Sequence, residues 1–134
     1  MLSTKEILSK YKNIALVGAS KDLNKTSTVV MKYLQEYGFK VYPVNPLIKN
    51  EKILNETVYD KISDIKESVE IVNVFRPSNE AVEIARDAIK VGAKVLWLQL
   101  DISNNEARKI VEANNIFYIE NKCTKIEYEK FIKK

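Results

Sequence analysis

At 134 residues, 46% apolar and 30% charged, the chain has the size and balance of one globular domain spanning 1–134. The net charge of +4 is spread thinly as lysine, with no basic tract interleaved with aromatics, which argues against a nucleic-acid partner. A single cysteine (Cys123), no histidine and no apolar run of membrane length exclude an internal disulfide, a cysteine-built metal site, imidazole catalysis and a spanning helix.

The first element is a short helix from Leu2 to Tyr11. Ser3 and Glu6 have capping-box spacing, and Leu2 with Ile7 has that of a hydrophobic staple. Ile14-Ala15-Leu16-Val17 then predicts a buried strand, broken by Gly18-Ala19-Ser20. The polar loop Lys21–Lys25 leads into a helix with Val29, Val30, Tyr33, Leu34 and Tyr37 along one face. Gly38 is placed to end that helix in a left-handed conformation. Lys40–Val44 predicts a second strand, stopped at Asn45-Pro46. Residues 47–68 are irregular, with a small edge strand at Thr57–Tyr59 and one helical turn at Ser63–Ile65. Val69–Phe75 predicts the third main strand, Asn79–Val91 a helix, and Ala93–Leu100 a fourth strand. Ser103 and Glu106 suggest a capping box for a helix through Asn114. Ile116–Ile119 predicts the fifth strand, and Thr124 with Glu127 the cap of a last helix.

Alternating strands and helices of these lengths predict an α/β fold. The expected architecture is a single Rossmann-like domain with a five-stranded, mainly parallel sheet in the order 3-2-1-4-5 and helices on both faces. In such a sheet, ligands bind where the strands end, beside strand one. There the small residues Gly18, Ala19 and Ser20 let a phosphate approach backbone N–H groups at a helix start. A valine at Gly18 is expected to block that approach without unfolding the chain. The motif lacks the full dinucleotide fingerprint, since the stretch holds one glycine. Asn45, about 27 residues beyond Gly18, stands where NAD-binding domains carry an acid for the ribose hydroxyls. A neutral amide tolerates a phosphorylated ribose, and Lys21, Lys25 and Arg76 add positive charge nearby. A phosphate-rich nucleotide is thereby favoured over NAD.

The ordered set Val17–Ser20, Tyr42–Pro46, Val74–Pro77, Trp97–Leu100 and Cys123–Glu127 resembles the small stand-alone CoA-binding proteins. These are similar to the CoA-binding domain of succinyl-CoA synthetase. The resemblance runs from about Thr4 to Tyr128. It implies coenzyme A or an acyl-CoA as ligand, with no established reaction. By position, it implies that Gly18, Ala19 and Ser20 lie against the CoA phosphates, with Ser27 beside them. It sets Asn45 and Pro46 at the adenosine end, and Phe75 and Arg76 against the nucleotide from strand three. Lys25 stands where the family usually has Arg, Val29 and Asp101 where it has Gly, and Tyr128 where it commonly has His. Gln99, at the end of strand four, is either a ligand contact or a partner for backbone groups.

No catalytic residue and no metal ligand can be assigned from the sequence. The favoured function is a non-catalytic CoA carrier or sensor. The alternatives are a small NADP-binding oxidoreductase, against which stand the missing substrate domain and histidine, and a nucleotide-responsive protein-interaction module. With no signal peptide at the start of the chain, cytoplasm is the expected compartment, and no membrane partner is expected. Trp97 is expected in the core, Cys123 as a buried thiol, and Glu127 as a cap for Thr124.

Overall fold

The computed structural model describes residues 2–133. Strands β1 (Asn13–Val17), β2 (Lys40–Val44), β5 (Ile71–Val74), β6 (Val95–Leu98) and β7 (Phe117–Ile119) form one parallel sheet in the order β2-β1-β5-β6-β7. A two-stranded hairpin, β3 (Lys52–Ile53) with β4 (Glu56–Thr57), lies outside it. The helices are α1 (Thr4–Lys10), α2 (Thr26–Glu36), α3 (Ala81–Lys90), α4 (Asn105–Ala113) and α5 (Thr124–Phe131). The α/β Rossmann-like class and the helices on both faces are as expected from the sequence.

Successive strand residues point to opposite sides, and both sides are buried. Ile14, Leu16, Val41, Ile71, Val95 and Trp97 face one core with Ile7, Leu8, Val30, Met31 and Leu34 of α1 and α2. Ala15, Val72, Val74, Leu96 and Leu98 face the other, with Ala81, Ala85 and Ala88 of α3 and Ala107 and Val111 of α4. Burying each of Val30, Met31 and Leu34 contributes about 1.5–3 kcal/mol, which is what fixes α2 on its face. Helix α3 turns Ala81, Ile84, Ala85 and Ala88 into this core and packs along α4.

The strand order corrects the expected one. The third main strand, β5, lies beside β1 and not beyond β2. The reason is the face on which residues 46–70 cross. Ile62, Ile65 and Val69 pack into the α3–α4 core, opposite the side that α2 covers. A right-handed crossover on that face runs back across β1, so β5 emerges on the far side.

Of the three expected caps, one forms and two differ. The Ser3–Glu6 capping box of α1 is present. Helix α4 is capped by Asn104, whose side chain accepts from the Ala107 N–H, and not by Ser103. Asn104 is fixed there because its amide also donates to the Ser78 carbonyl and its N–H donates to the Tyr118 hydroxyl. At α5 the cap position is Cys123. Thr124 Oγ1 accepts from Asn73, and Glu127 accepts from Thr4 Oγ1 at 2.8 Å, tying α5 to α1. Glu127 is therefore no cap for Thr124.

Candidate functional site

β1 and β5 are neighbours whose chains leave in opposite directions, β1 towards α2 and β5 towards α3 on the other face. Such a switch point opens a crevice at the carboxyl edge of the sheet. The loops after β1 and β5 meet there without a gap. Gly18 has φ +94°, and a Cβ on it would stand 2.6 Å from the Phe75 carbonyl oxygen. Only glycine serves at that contact. The loop after the neighbouring strand thus imposes the glycine by itself, a second reason beside the room for a pyrophosphate expected from the sequence.

The loop beyond it is held by its own polar groups. Gly18 and Ala19 N–H both donate to the Val44 carbonyl, at 3.0 and 3.3 Å. They are thus already engaged. Ser20 Oγ accepts from the Asp22 N–H, Asp22 accepts from the Asn24 N–H, and Thr28 Oγ1 donates to the Ser20 carbonyl. The loop delivers the chain to α2, whose cap position is Lys25. That end has no side-chain capping bond and no acidic residue in its first turn. Lys25, Thr26 and Ser27, at the positive end of the helix dipole, line a cleft of about 590 Å³.

Gly18, Ala19, Ser20, Lys25, Ser27, Asn45, Phe75 and Arg76 all line this main cleft. Of the remaining two expected site residues, Pro46 lines a second cavity of about 250 Å³, which shares Gly18, Asn45 and Arg76 with the main cleft. Gln99 lines a third cleft at the end of β6, which shares Thr26, Phe75 and Arg76 with it. The ten residues are thus gathered along one edge, divided among three connected hollows. Thr26, Leu47 and Ile48 also line the main cleft and had no sequence signal beyond lying next to predicted residues.

Asn45 is committed at both ends. Its Nδ2 donates to the Ala19 carbonyl and its Oδ1 accepts from the Leu47 N–H, each at 2.9 Å. It fastens the loop after β1 to the end of β2. Gln99 is buried, and its Nε2 donates to Asn73 Oδ1 beside Thr124. Arg76 forms a two-pronged pair with Glu80, and Lys21 pairs with Glu51. The hydrogen bond from Arg76 holds the Glu80 carboxyl below its ordinary range. Lys25 forms no ion pair among the described residues.

The positions that depart from the family pattern have separate fates. Val29 lies outside the main cleft, on an outer groove of α2. Asp101 adopts φ +67°, a conformation natural to glycine, and its N–H donates to Asn121. Tyr128 packs among Tyr33, Tyr37 and Phe39 with ring centroids 5.2–6.1 Å away. Trp97 is fully buried, its Nε1 donating to the Lys122 carbonyl at 2.8 Å.

Tyr118 and Lys122 have the Tyr-x-x-x-Lys spacing of NADP-dependent reductases, a match sequence reasoning missed. The structure gives Tyr118 another task. Its hydroxyl donates to Glu120 at 2.7 Å and accepts from the Asn104 N–H at the start of α4. Burial, followed by the bond to Glu120, pushes its pKa well above the tyrosine range, which is opposite to what a tyrosine acid needs. It lines none of the three clefts. No described helix is long and apolar enough to cross a membrane.

The pattern of the family described as CoA binding domain matches residues 12–129. The chain is 33% identical over 124 residues to the uncharacterized protein YneT of Bacillus subtilis (strain 168), covering 92% of this chain and 90% of that protein. It superposes with a TM-score of 0.91 on a hypothetical protein from Pyrococcus horikoshii OT3, at 38% identity and over 98% of this chain and 93% of the other. It is 28% identical over 87 residues to an ADP-forming acetate–CoA ligase of Methanocaldococcus jannaschii, covering 65% of this chain but 12% of the ligase.

Proposed function

Since the chain belongs to the CoA-binding domain family, we propose that it binds coenzyme A or an acyl-CoA at the carboxyl edge of its sheet, as a carrier or sensor that performs no chemistry on it. The observation that carries this reading is the uncapped start of α2, opening with Lys25 onto the main cleft. A diphosphate supplies what that helix end lacks: acceptors for its N–H groups and negative charge for its dipole. The adenosine then lies towards Asn45 and Pro46. In the cavity there, Val17, Ile62 and Ile84 offer apolar surface for a base, beside the charged side chains of Asp60, Lys61, Arg76, Glu80 and Asp87. The pantetheine arm leaves past Phe75 towards Gln99 and the third cleft.

The polar side chains support binding over catalysis. Ser20 and Asn45 are occupied in shaping loops, and Arg76 is paired. None is set against a second group as a nucleophile is against its base. Calorimetric titration with CoA and with NAD tests the reading. CoA should bind and NAD should bind at least tenfold more weakly. Equal affinities would overturn it.

A further inference from the structure

Among the described residues, Arg76 alone lines all three clefts at the carboxyl edge. Its guanidinium is engaged elsewhere. Nε and Nη2 donate to the two carboxylate oxygens of Glu80, at 3.1 and 2.7 Å. The chain builds this pair locally. After Pro77 it makes one tight turn at Ser78–Glu80, closed by the Glu80 N–H donating to the Pro77 carbonyl at 2.9 Å. That turn carries the carboxylate back to the arginine four residues earlier. Glu80 itself lines the cavity beside Pro46.

We propose that Glu80 is a positioning residue that parks Arg76 where the three clefts meet, so that a phosphate ligand binds by replacing the carboxylate on one guanidinium. The inference rests on the reading of this edge as a phosphate-cofactor site. The planar fork of an arginine accepts a carboxylate or a phosphate in the same two-pronged way, so the two compete for it. Before exchange the pair adds no net charge to the cleft. The same holds for Lys21 with Glu51. Among the described residues, Lys25 is left as the cation of the main cleft without an ion pair, with the Asp22 carboxylate in the same lining. After exchange, Glu80 stands unpaired near the phosphate and opposes it. Glu80 thus filters against weakly charged ligands.

Glu80→Gln keeps the shape and one acceptor while removing the charge. An exposed ion pair at the upper end of the usual range corresponds to about a fivefold change in affinity. The experiment is calorimetry at fixed low salt on four proteins: the native chain, Glu80→Gln, Arg76→Ala and the double variant, each first shown to be folded by thermal denaturation. CoA is the first probe and inorganic pyrophosphate the second. The exchange requires that Glu80→Gln tighten CoA about fivefold, that Arg76→Ala weaken it, and that the gain from Glu80→Gln shrink once Arg76 is absent. Unchanged or weaker binding by Glu80→Gln overturns the inference and leaves the CoA reading standing. So does an equal gain in the Arg76→Ala background, which would mark a general charge effect. If the native chain takes pyrophosphate but not CoA, the CoA reading falls and the same four proteins decide the exchange with pyrophosphate. Binding of neither probe overturns both.

Discussion

Gly18 carries a constraint that the sequence does not show, beside the one that it suggests. Its place after an apolar strand marks a tight corner, and the sequence carries nothing about what lies across from it. What lies across is the Phe75 carbonyl, contributed by a strand more than fifty residues away. Gly18→Ala should therefore destabilise the fold itself, by about 1–3 kcal/mol from the positive φ alone, with the contact adding to it. Urea denaturation measures this. A fully stable alanine variant would show that the β1–β5 corner can open. Asn45 teaches a related lesson. Its spacing from Gly18 was legible, but its two hydrogen bonds depend on the fold. Asn45→Asp would set a carboxylate oxygen against the Ala19 carbonyl, so a loss of CoA affinity in that variant would not isolate a ligand charge.

At the scale of elements, α2 is the informative case. Its buried face was readable from Val30, Tyr33 and Leu34, because helical periodicity is a property of the local chain, while Val29, expected on that face, is exposed and Tyr37 only partly buried. Its bare N-terminus shows only in the structure, where a lysine stands at the cap in place of Ser, Thr, Asp or Asn. Lys25 has φ −68° and ψ 142°, extended values that suit a capping residue. Lys25→Asp should accordingly stabilise the free protein by about 0.5–2 kcal/mol. The same change should weaken CoA by roughly tenfold or more, since it reverses a charge and occupies the N–H groups a phosphate needs. Stability and binding would then move in opposite directions. Parallel losses would mean that this helix end is ordinary surface. The α4 cap was misplaced by one residue for the opposite reason. Ser103 and Asn104 both have capping chemistry, and the choice rests on Ser78 and Tyr118, distant in sequence.

For the whole molecule, the class was legible and the strand order was not. Strand and helix periods identify a doubly wound sheet, whereas order depends on which face each connection covers. Residues 46–70 hold no α-helix whose apolar stripe would announce a face. Ile62, Ile65 and Val69 settle it only when packed. The observed order brings the ends of β2, β1 and β5 together at the proposed ligand edge, and that yields a test of the molecule as a unit. CoA at about one hundred times its Kd should raise global stability by about 2.7 kcal/mol. For a chain of this length the melting temperature should rise by roughly 8–13 °C. Amides that open locally should report where the ligand sits. Hydrogen exchange should slow at residues 18–28, 44–48 and 75–80, the three loops that meet at the switch point. Amides of α1 and of the β3–β4 hairpin that exchange by local opening should keep their free rates, because those elements lie away from that edge. Protection centred on α1 or on the outer groove of α2 would place the ligand on another face, and the switch-point argument would fail with it.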